Sequence, residues 1–176
     1  MYKTQNIISF PVTEKLFLSK RNYMPNTYTQ IHLHIIYAVQ YRNALIDNKW
    51  KDELYKFITG IVQDNEHKMI IINGMPDHTH MLIGMRPSQS LSDLMKEVKG
   101  SSSKWINGKG FAGNKFNWQS GYGAFSYSRS QLQTVINYIK NQEVHHQKKT
   151  FLQEYRTFLE KFEVPFEEQY IFHEPE

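Results

Sequence analysis

The chain has 176 residues, a net charge of +4 with histidine neutral, 40% hydrophobic and 14% aromatic residues, and no cysteine. Such a length and apolar content support one domain with a real core and argue against disorder, and the missing cysteines exclude disulfides, thiolate metal sites and cysteine nucleophiles. No apolar run approaches the roughly 18 residues that cross a bilayer, and Ile7-Ile8-Ser9-Phe10 is too brief for a signal-peptide core, so a soluble, cytoplasmic protein is expected.

The charge is unevenly spread. From Glu160 onward the tail carries six glutamates against Lys161 alone, which leaves the remainder at +9. A basic body with an acidic tail suits a polyanionic partner such as nucleic acid, although surface lysines also serve solubility.

Met1 to Tyr23 shows no periodic pattern and ends in Lys20-Arg21, so residues 1–23 are expected to be an arm or an upstream extension. A single domain is expected over 24–172, with 173–176 closing the acidic tail. Tyr28 to Gln40 is rich in β-branched and aromatic residues and predicts a strand, with Ile31, Leu33, Ile35, Tyr37 and Val39 on one face and His32, His34, Ile36 and Ala38 on the other. Asp47 is a plausible N-cap for a helix over 48–65, whose apolar positions recur every three or four residues. Lys68 to Asn73 and His78 to Met85 read as two strands of a hairpin, turned at 74–77.

A second helix is expected over 91–105 behind Ser90, with Leu91, Leu94, Met95 and Val98 inward. Its other face and the following loop carry Lys96, Lys99, Lys104, Lys109 and Lys115, a candidate phosphate-backbone track. A glycine-rich loop over 108–114 leads to an aromatic stretch and a short strand over 124–128. Of those aromatics, Trp118 and Phe125 read as core. Ser130 opens a third helix, 131 to about 146, with Leu132, Val135, Ile136 and Ile139 as its apolar stripe, and 151–162 reads as a last helix. The order strand, helix, strand, strand, helix, strand, then helices predicts an α+β, ferredoxin-like (RRM-like) antiparallel sheet with helices on one face, followed by C-terminal helices.

Chemistry concentrates in two places. In the strand His78-Thr79-His80, alternate side chains point the same way about 7 Å apart, a spacing that lets two imidazoles converge on one divalent cation. His32-Leu33-His34 has the same form, and spacing alone does not choose between the pairs. On the third helix, Tyr138 and Gln142 are four residues apart and share a face.

Three separated motifs, PDHTHML, WQSGYGAFSYS and YIKNQEVHH followed by FLQEYRTFL, together with the opening MPNTYTQIHLHIIYAVQYR, resemble the small single-tyrosine HUH transposases of the TnpA type. The likeness runs from about Met24 to Phe172. It implies that His78 and His80 hold a divalent metal (Mg²⁺ or Mn²⁺), that Gln142 is the third metal ligand, and that Tyr138 is the catalytic nucleophile. It selects His78/His80 over His32/His34, which are left as structural or supporting residues. Thr79 stands where the family usually has a large apolar residue, but it points away from the metal face.

The resemblance further implies a homodimer acting on single-stranded DNA with hairpins near the element ends, cleaving and rejoining it through a 5′-phosphotyrosine without a nucleotide cofactor. A phenol is a poor nucleophile near neutrality unless assisted, which gives the cation its use. Lys96, Lys99, Lys104, Lys109, Lys115 and Arg129 are the candidate DNA contacts. The rival reading is a domesticated or inactive relative that only binds nucleic acid. A two-histidine phosphoesterase is excluded, because none of the eight histidines has Ser or Thr two residues downstream.

Overall fold

Segments rich in Ile, with Leu, Met and Tyr37, make β1 (Ile31–Ala38), β2 (Lys68–Met75) and β3 (His78–Met85), joined at one edge by the short β4 (Gly123–Ser126). The computed structural model describes residues 28–43, 45–168 and 171. The expected arm at 1–23 and the tail end at 173–176 therefore lie outside the described residues. The strands pair antiparallel throughout in the order β2-β3-β1-β4, which is the split β-α-β arrangement expected of an α+β, ferredoxin-like sheet.

Each face of the sheet has its own cover. Helices α1 (Lys51–Asp64) and α2 (Leu91–Lys109) bury Leu54, Ile58, Leu94, Met95 and Val98 against Ile35, Tyr37, Met81 and Ile83. The opposite face carries α3 (Leu132–Lys140), α4 (Gln142–His146) and α5 (Phe151–Lys161). There α5 buries Phe151, Leu152, Tyr155 and Leu159 against Ile36, Ala38 and Phe125, each such side chain contributing about 1.5–3 kcal/mol. Val135 and Ile139 of α3 pack on Leu82. The histidines of β1 and β3 point into this second layer. Trp118 and Phe125 are core, as the sequence suggests, at 8% and 2% exposure.

Several boundaries differ from the sequence reading, for local reasons. Strand β1 starts at Ile31 rather than Tyr28, which is 91% exposed. The carboxylate of Asp47 accepts from the Lys49 N–H at 2.8 Å, forming a turn that delays α1 to Lys51. Helix α2 continues four residues past Trp105 until Gly110 stops it in the left-handed conformation, φ 68°. The capping box of the α3 entry is built on Ser128 with Gln131, two residues before the expected cap at Ser130.

One break matters for function. The expected third helix is two helices, because Asn73 of β2 donates its side-chain N–H to the carbonyls of Ile139 and Lys140 at 2.8 and 3.3 Å. That satisfies the end of α3, and the chain turns at Asn141 (φ −99°, ψ 26°) before α4 begins. Tyr138 and Gln142 therefore sit on consecutive helices, Gln142 as the first residue of the second.

The β2–β3 hairpin depends on one glycine. A Cβ at Gly74 would lie 2.2 Å from the His78 carbonyl oxygen and 2.8 Å from the Thr79 Cα, both unyielding backbone atoms. Gly74→Ala should pry the hairpin open where His78 begins and destabilise the fold by about 3 kcal/mol, the upper range of overpacking. A urea denaturation midpoint measures this, and an unchanged midpoint would mean that the hairpin is slack.

Candidate active site

The Pro76-Asp77 turn sets the first histidine. The His78 Nδ1–H donates to Asp77 Oδ1 at 2.7 Å, and Arg42 Nε donates to Asp77 Oδ2 at 3.0 Å, with Arg42 Nη2 also contacting that oxygen. Arg42 reaches this position because Tyr41 and Arg42 both adopt left-handed backbone, φ 56° and 53°, a strained conformation for non-glycine residues. Its guanidinium also stacks on the Phe151 ring of α5 at 4.6 Å. Burial pushes the Asp77 carboxyl up, but the hydrogen bonds and charges of His78 and Arg42 outweigh it and hold the group below the usual carboxylate range.

His80 is set by its neighbour strand. Its Nδ1 lies 3.0 Å from Nε2 of His34, and the rings stack with centroids 5.2 Å apart. His34 is therefore a supporting residue for His80, while His32 stays half-buried farther along β1. Burial lowers the pKa of His34 to about 3 and, with the charges of neighbouring histidines, that of His80 well below its ordinary value. His78 is lowered by burial too, against the pull of Asp77. All three are neutral near pH 7 and offer lone pairs. Thr79 points to the other face, toward the Tyr37 and Tyr55 hydroxyls, as expected.

The Nε2 atoms of His78 and His80 are buried without a hydrogen-bond partner, as is Oε2 of Glu154 from α5. Together with His146, their ligand atoms all lie within 4.8 Å of one another. Orphaned buried acceptors are costly, and lone pairs aimed at one point suit a divalent cation, so the residues fit the metal that the sequence implies. Gln142, fully buried, binds two members of this cluster: its Nε2–H donates to Glu154 Oε1 at 3.2 Å, and its Oε1 is 3.0 Å from His146 Nε2. It lies near enough to His78 to favour that residue's protonated form.

Tyr138 lies beside the histidines of its own chain. Its ring centroid is 6.0 Å from that of His80, 6.1 Å from His34 and 5.1 Å from His145, with Phe158 of α5 at 5.6 Å. Its hydroxyl is buried and unpartnered. Tyr138 borders both an inner cavity of about 210 Å³ that reaches Glu154 and an open groove of about 1040 Å³. Asn137, His145, Lys148, Lys149 and Arg156 line that groove.

The lysines singled out in the sequence lie elsewhere. Lys96, Lys104 and Lys109 are exposed on α2, across the sheet from Tyr138, and Lys115 is exposed on the loop that follows. Lys99 is engaged, donating to the carbonyls of Gln119 and Gly121, so it anchors the aromatic loop. Arg129 is exposed at the entry to α3. Sequence reasoning missed His146, Glu154, Asp77 and Arg42 as site residues. His146 had a legible signal, standing one helical turn past Gln142; Glu154 had none, because α5 could have packed anywhere.

Asp77 supplies a direct check on this geometry. Asp77→Asn keeps the size but weakens the acceptor that fixes His78, and loss of such an outer partner costs about 10–100-fold in metal affinity. A Mn²⁺ titration reads this, and wild-type affinity in the variant would show that Asp77 only pins Arg42.

Residues 27–142 match the family described as Transposase IS200 like. The ISDra2 transposase TnpA of Deinococcus radiodurans is 28% identical over 120 residues, covering 64% of this chain and 84% of that protein. A crystal structure from Deinococcus radiodurans R1, described as a transposase, aligns with TM-score 0.52 at 24% identity over 67% of this chain and 95% of that one. A REP-associated tyrosine transposase bound to a REP hairpin aligns with TM-score 0.53 at 14% identity over 69% and 72%. These two share the fold, and the family match spans β1 through the start of α4, the segment holding the histidine pair and Tyr138. With the motifs and the fold agreeing, the chain belongs to the IS200-like transposase family.

Proposed function

We propose that the protein cleaves and rejoins single-stranded DNA through a 5′-phosphotyrosine formed on Tyr138, with a divalent cation at His78 and His80. The observation that carries this reading is the unpartnered Tyr138 hydroxyl beside the converging imidazole lone pairs of the same chain. In the step, the Tyr138 oxygen forms a bond to phosphorus as the P–O3′ bond breaks. The phenolic proton is given up and the 3′-oxygen leaves protonated, so the ester keeps the bond energy for rejoining. When bound, the cation supplies charge neutralisation and orientation of the scissile phosphate. Neutral His78 and His80 hold that position, Asp77 and His34 fix their rings, and Phe158 helps keep water from the tyrosine.

The groove lined by Lys148, Lys149 and Asn137 is the entry for the scissile strand. Lys96, Lys104, Lys109 and Lys115, on the α2 side, are assigned to more distant phosphates, with Arg129 at the α3 entry. Hairpin DNA is the proposed partner, supported by the REP hairpin bound to a protein of this fold. A homodimer and a cytoplasmic location complete the reading, and no helix among the described residues is long and apolar enough to cross a membrane.

The test is a denaturing gel of the protein with labelled single strands from the flanks of its own gene, with Mn²⁺, with EDTA, and with Tyr138→Phe. A cation-dependent, SDS-resistant adduct lost in the variant supports the reading. Native binding with no adduct on any strand favours the relative that only binds.

A further inference from the structure

We propose that His146 and Glu154 complete the cation centre begun by His78 and His80, giving a site of three imidazoles and one carboxylate that selects Mn²⁺ or Zn²⁺ over Mg²⁺ and fastens α5 to the catalytic face. This rests on the reading that His78 and His80 hold a cation. Both added residues lie beyond residue 142, where the match to the family stops.

The hydrogen bonds sort the ring nitrogens. Each histidine has its Nδ1 engaged: His78 by Asp77 Oδ1 at 2.7 Å, His80 by His34 Nε2 at 3.0 Å, and His146 by the Lys149 carbonyl at 3.1 Å. With Nδ1 protonated, Nε2 of His78 and His80 presents a free lone pair, the usual arrangement when an outer acceptor orients a metal-bound imidazole. Nε2 of His146, by contrast, meets Gln142 Oε1 at 3.0 Å in the metal-free fold and has to release it to bind the ion.

Those three Nε2 atoms surround one oxygen. Glu154 Oε2 lies 3.3 Å from His146 Nε2, 3.6 Å from His80 Nε2 and 4.0 Å from His78 Nε2. Ligand bonds of about 2.1 Å set two ligand atoms about 3.0–3.4 Å apart in octahedral or tetrahedral geometry. Closing on an ion therefore draws the 4.0 Å His78–Glu154 pair in by about 0.6 Å or more, and any pair near the 4.8 Å limit by about 1.4 Å. Glu154 is 2% exposed and sits on the buried stripe of α5 among Phe151, Leu152 and Tyr155. A carboxylate placed there without a counter-charge is expensive, and a divalent cation supplies that charge.

In this arrangement Gln142 acts as a positioning residue instead of the third ligand that the resemblance implies. Its amide holds the second Glu154 oxygen and faces His146, orienting both toward the centre. The chemistry of the donor set decides the ion. Three imidazoles suit Mn²⁺ and Zn²⁺, whereas Mg²⁺ prefers an oxygen octahedron that retains its waters.

The experiment is titration of Mn²⁺ into the metal-free full chain by calorimetry, with Mg²⁺ as competitor and pulsed EPR of the Mn²⁺ complex. The wild type should show three coordinated imidazole nitrogens and keep Mn²⁺ against about 1000-fold Mg²⁺, as the donor set dictates. Glu154→Gln and His146→Ala should each weaken Mn²⁺ more than about 100-fold, and Gln142→Ala about tenfold, as for an outer partner. Two imidazole nitrogens in the wild type, a measurement that needs no variant to fold, would overturn the proposal. So would wild-type affinity in Glu154→Gln with loss in Gln142→Ala. If His78→Ala and His80→Ala also bind normally, the underlying reading fails as well.

Discussion

Tyr138→Phe should abolish the covalent protein–DNA adduct while leaving Mn²⁺ affinity within about twofold and stability equal or slightly higher. Loss of a nucleophile removes the only route to the phosphotyrosine, so the adduct falls below detection, an effect of at least about 10³-fold by comparison with other nucleophile deletions. The accompanying stability result is what makes the experiment specific. The Tyr138 hydroxyl is buried without a partner, so deleting it leaves no donor or acceptor stranded and removes a desolvated group. The ring contacts to His80, His145 and Phe158 are kept. A drop of several degrees in Tm would mean that the hydroxyl holds the layer together, and the adduct result would lose its meaning. An adduct that persists in a well-folded variant moves the nucleophile elsewhere. Tyr127 borders the same inner cavity, whereas Tyr122 is hydrogen-bonded near Ser92 on the α2 side.

The sheet and its first layer were legible because they obey local periodicities. Alternation in β1 and β3 put Ile35, Tyr37, Met81 and Ile83 on one face, and the helical stripes of α1 and α2 match that face. The histidine pair was legible for the same reason, but only resemblance chose His78/His80. The structure adds the cause: β1 pairs with β3, so His34 sits where it can hold His80. The split between α3 and α4 was not legible, because it rests on Asn73, more than sixty residues upstream, capping the α3 carbonyls. Glu154 was hidden for a sharper reason. A glutamate between Phe151 and Tyr155 reads as the polar side of an amphipathic helix, yet it is buried. Only the stacking of α5 over the histidine face, with Tyr155 seated on Gly123 so closely that a Cβ there would be 2.7 Å from the ring, turns that carboxylate inward.

Adding Mn²⁺ should raise the Tm of the metal-free protein by about 5–10 °C at a concentration about 100-fold above its Kd, with a gain that grows with pH. The size follows from linkage: binding at 100 Kd stabilises by about 2.7 kcal/mol, and a chain of this length shifts about 2–4 °C per kcal/mol. The pH dependence follows from Glu154. Burial, reinforced by the charge of Asp77 and opposed by Arg42, raises its pKa to about 8 in the metal-free fold. A group whose folded pKa lies above its unfolded value stabilises fully below the unfolded value, near 4.5. That contribution is lost as pH rises through about 8. His34 and His146, lowered to about 3 and 4 by burial, and His78, His80 and His145, also lowered, act in the other direction as pH falls through their ordinary 6.5. Above about pH 7.5, where the histidines no longer titrate in either state, the metal-free protein should therefore lose stability chiefly through Glu154, and the bound cation, replacing the proton, should cancel that loss. Melting curves at pH 6.5, 7.25 and 8, with and without Mn²⁺, should diverge as pH rises. In Glu154→Gln they should run parallel. Divergence that survives in Glu154→Gln would assign the titration to another group of the cluster, and a cation without effect on Tm would remove the centre from this face of the sheet.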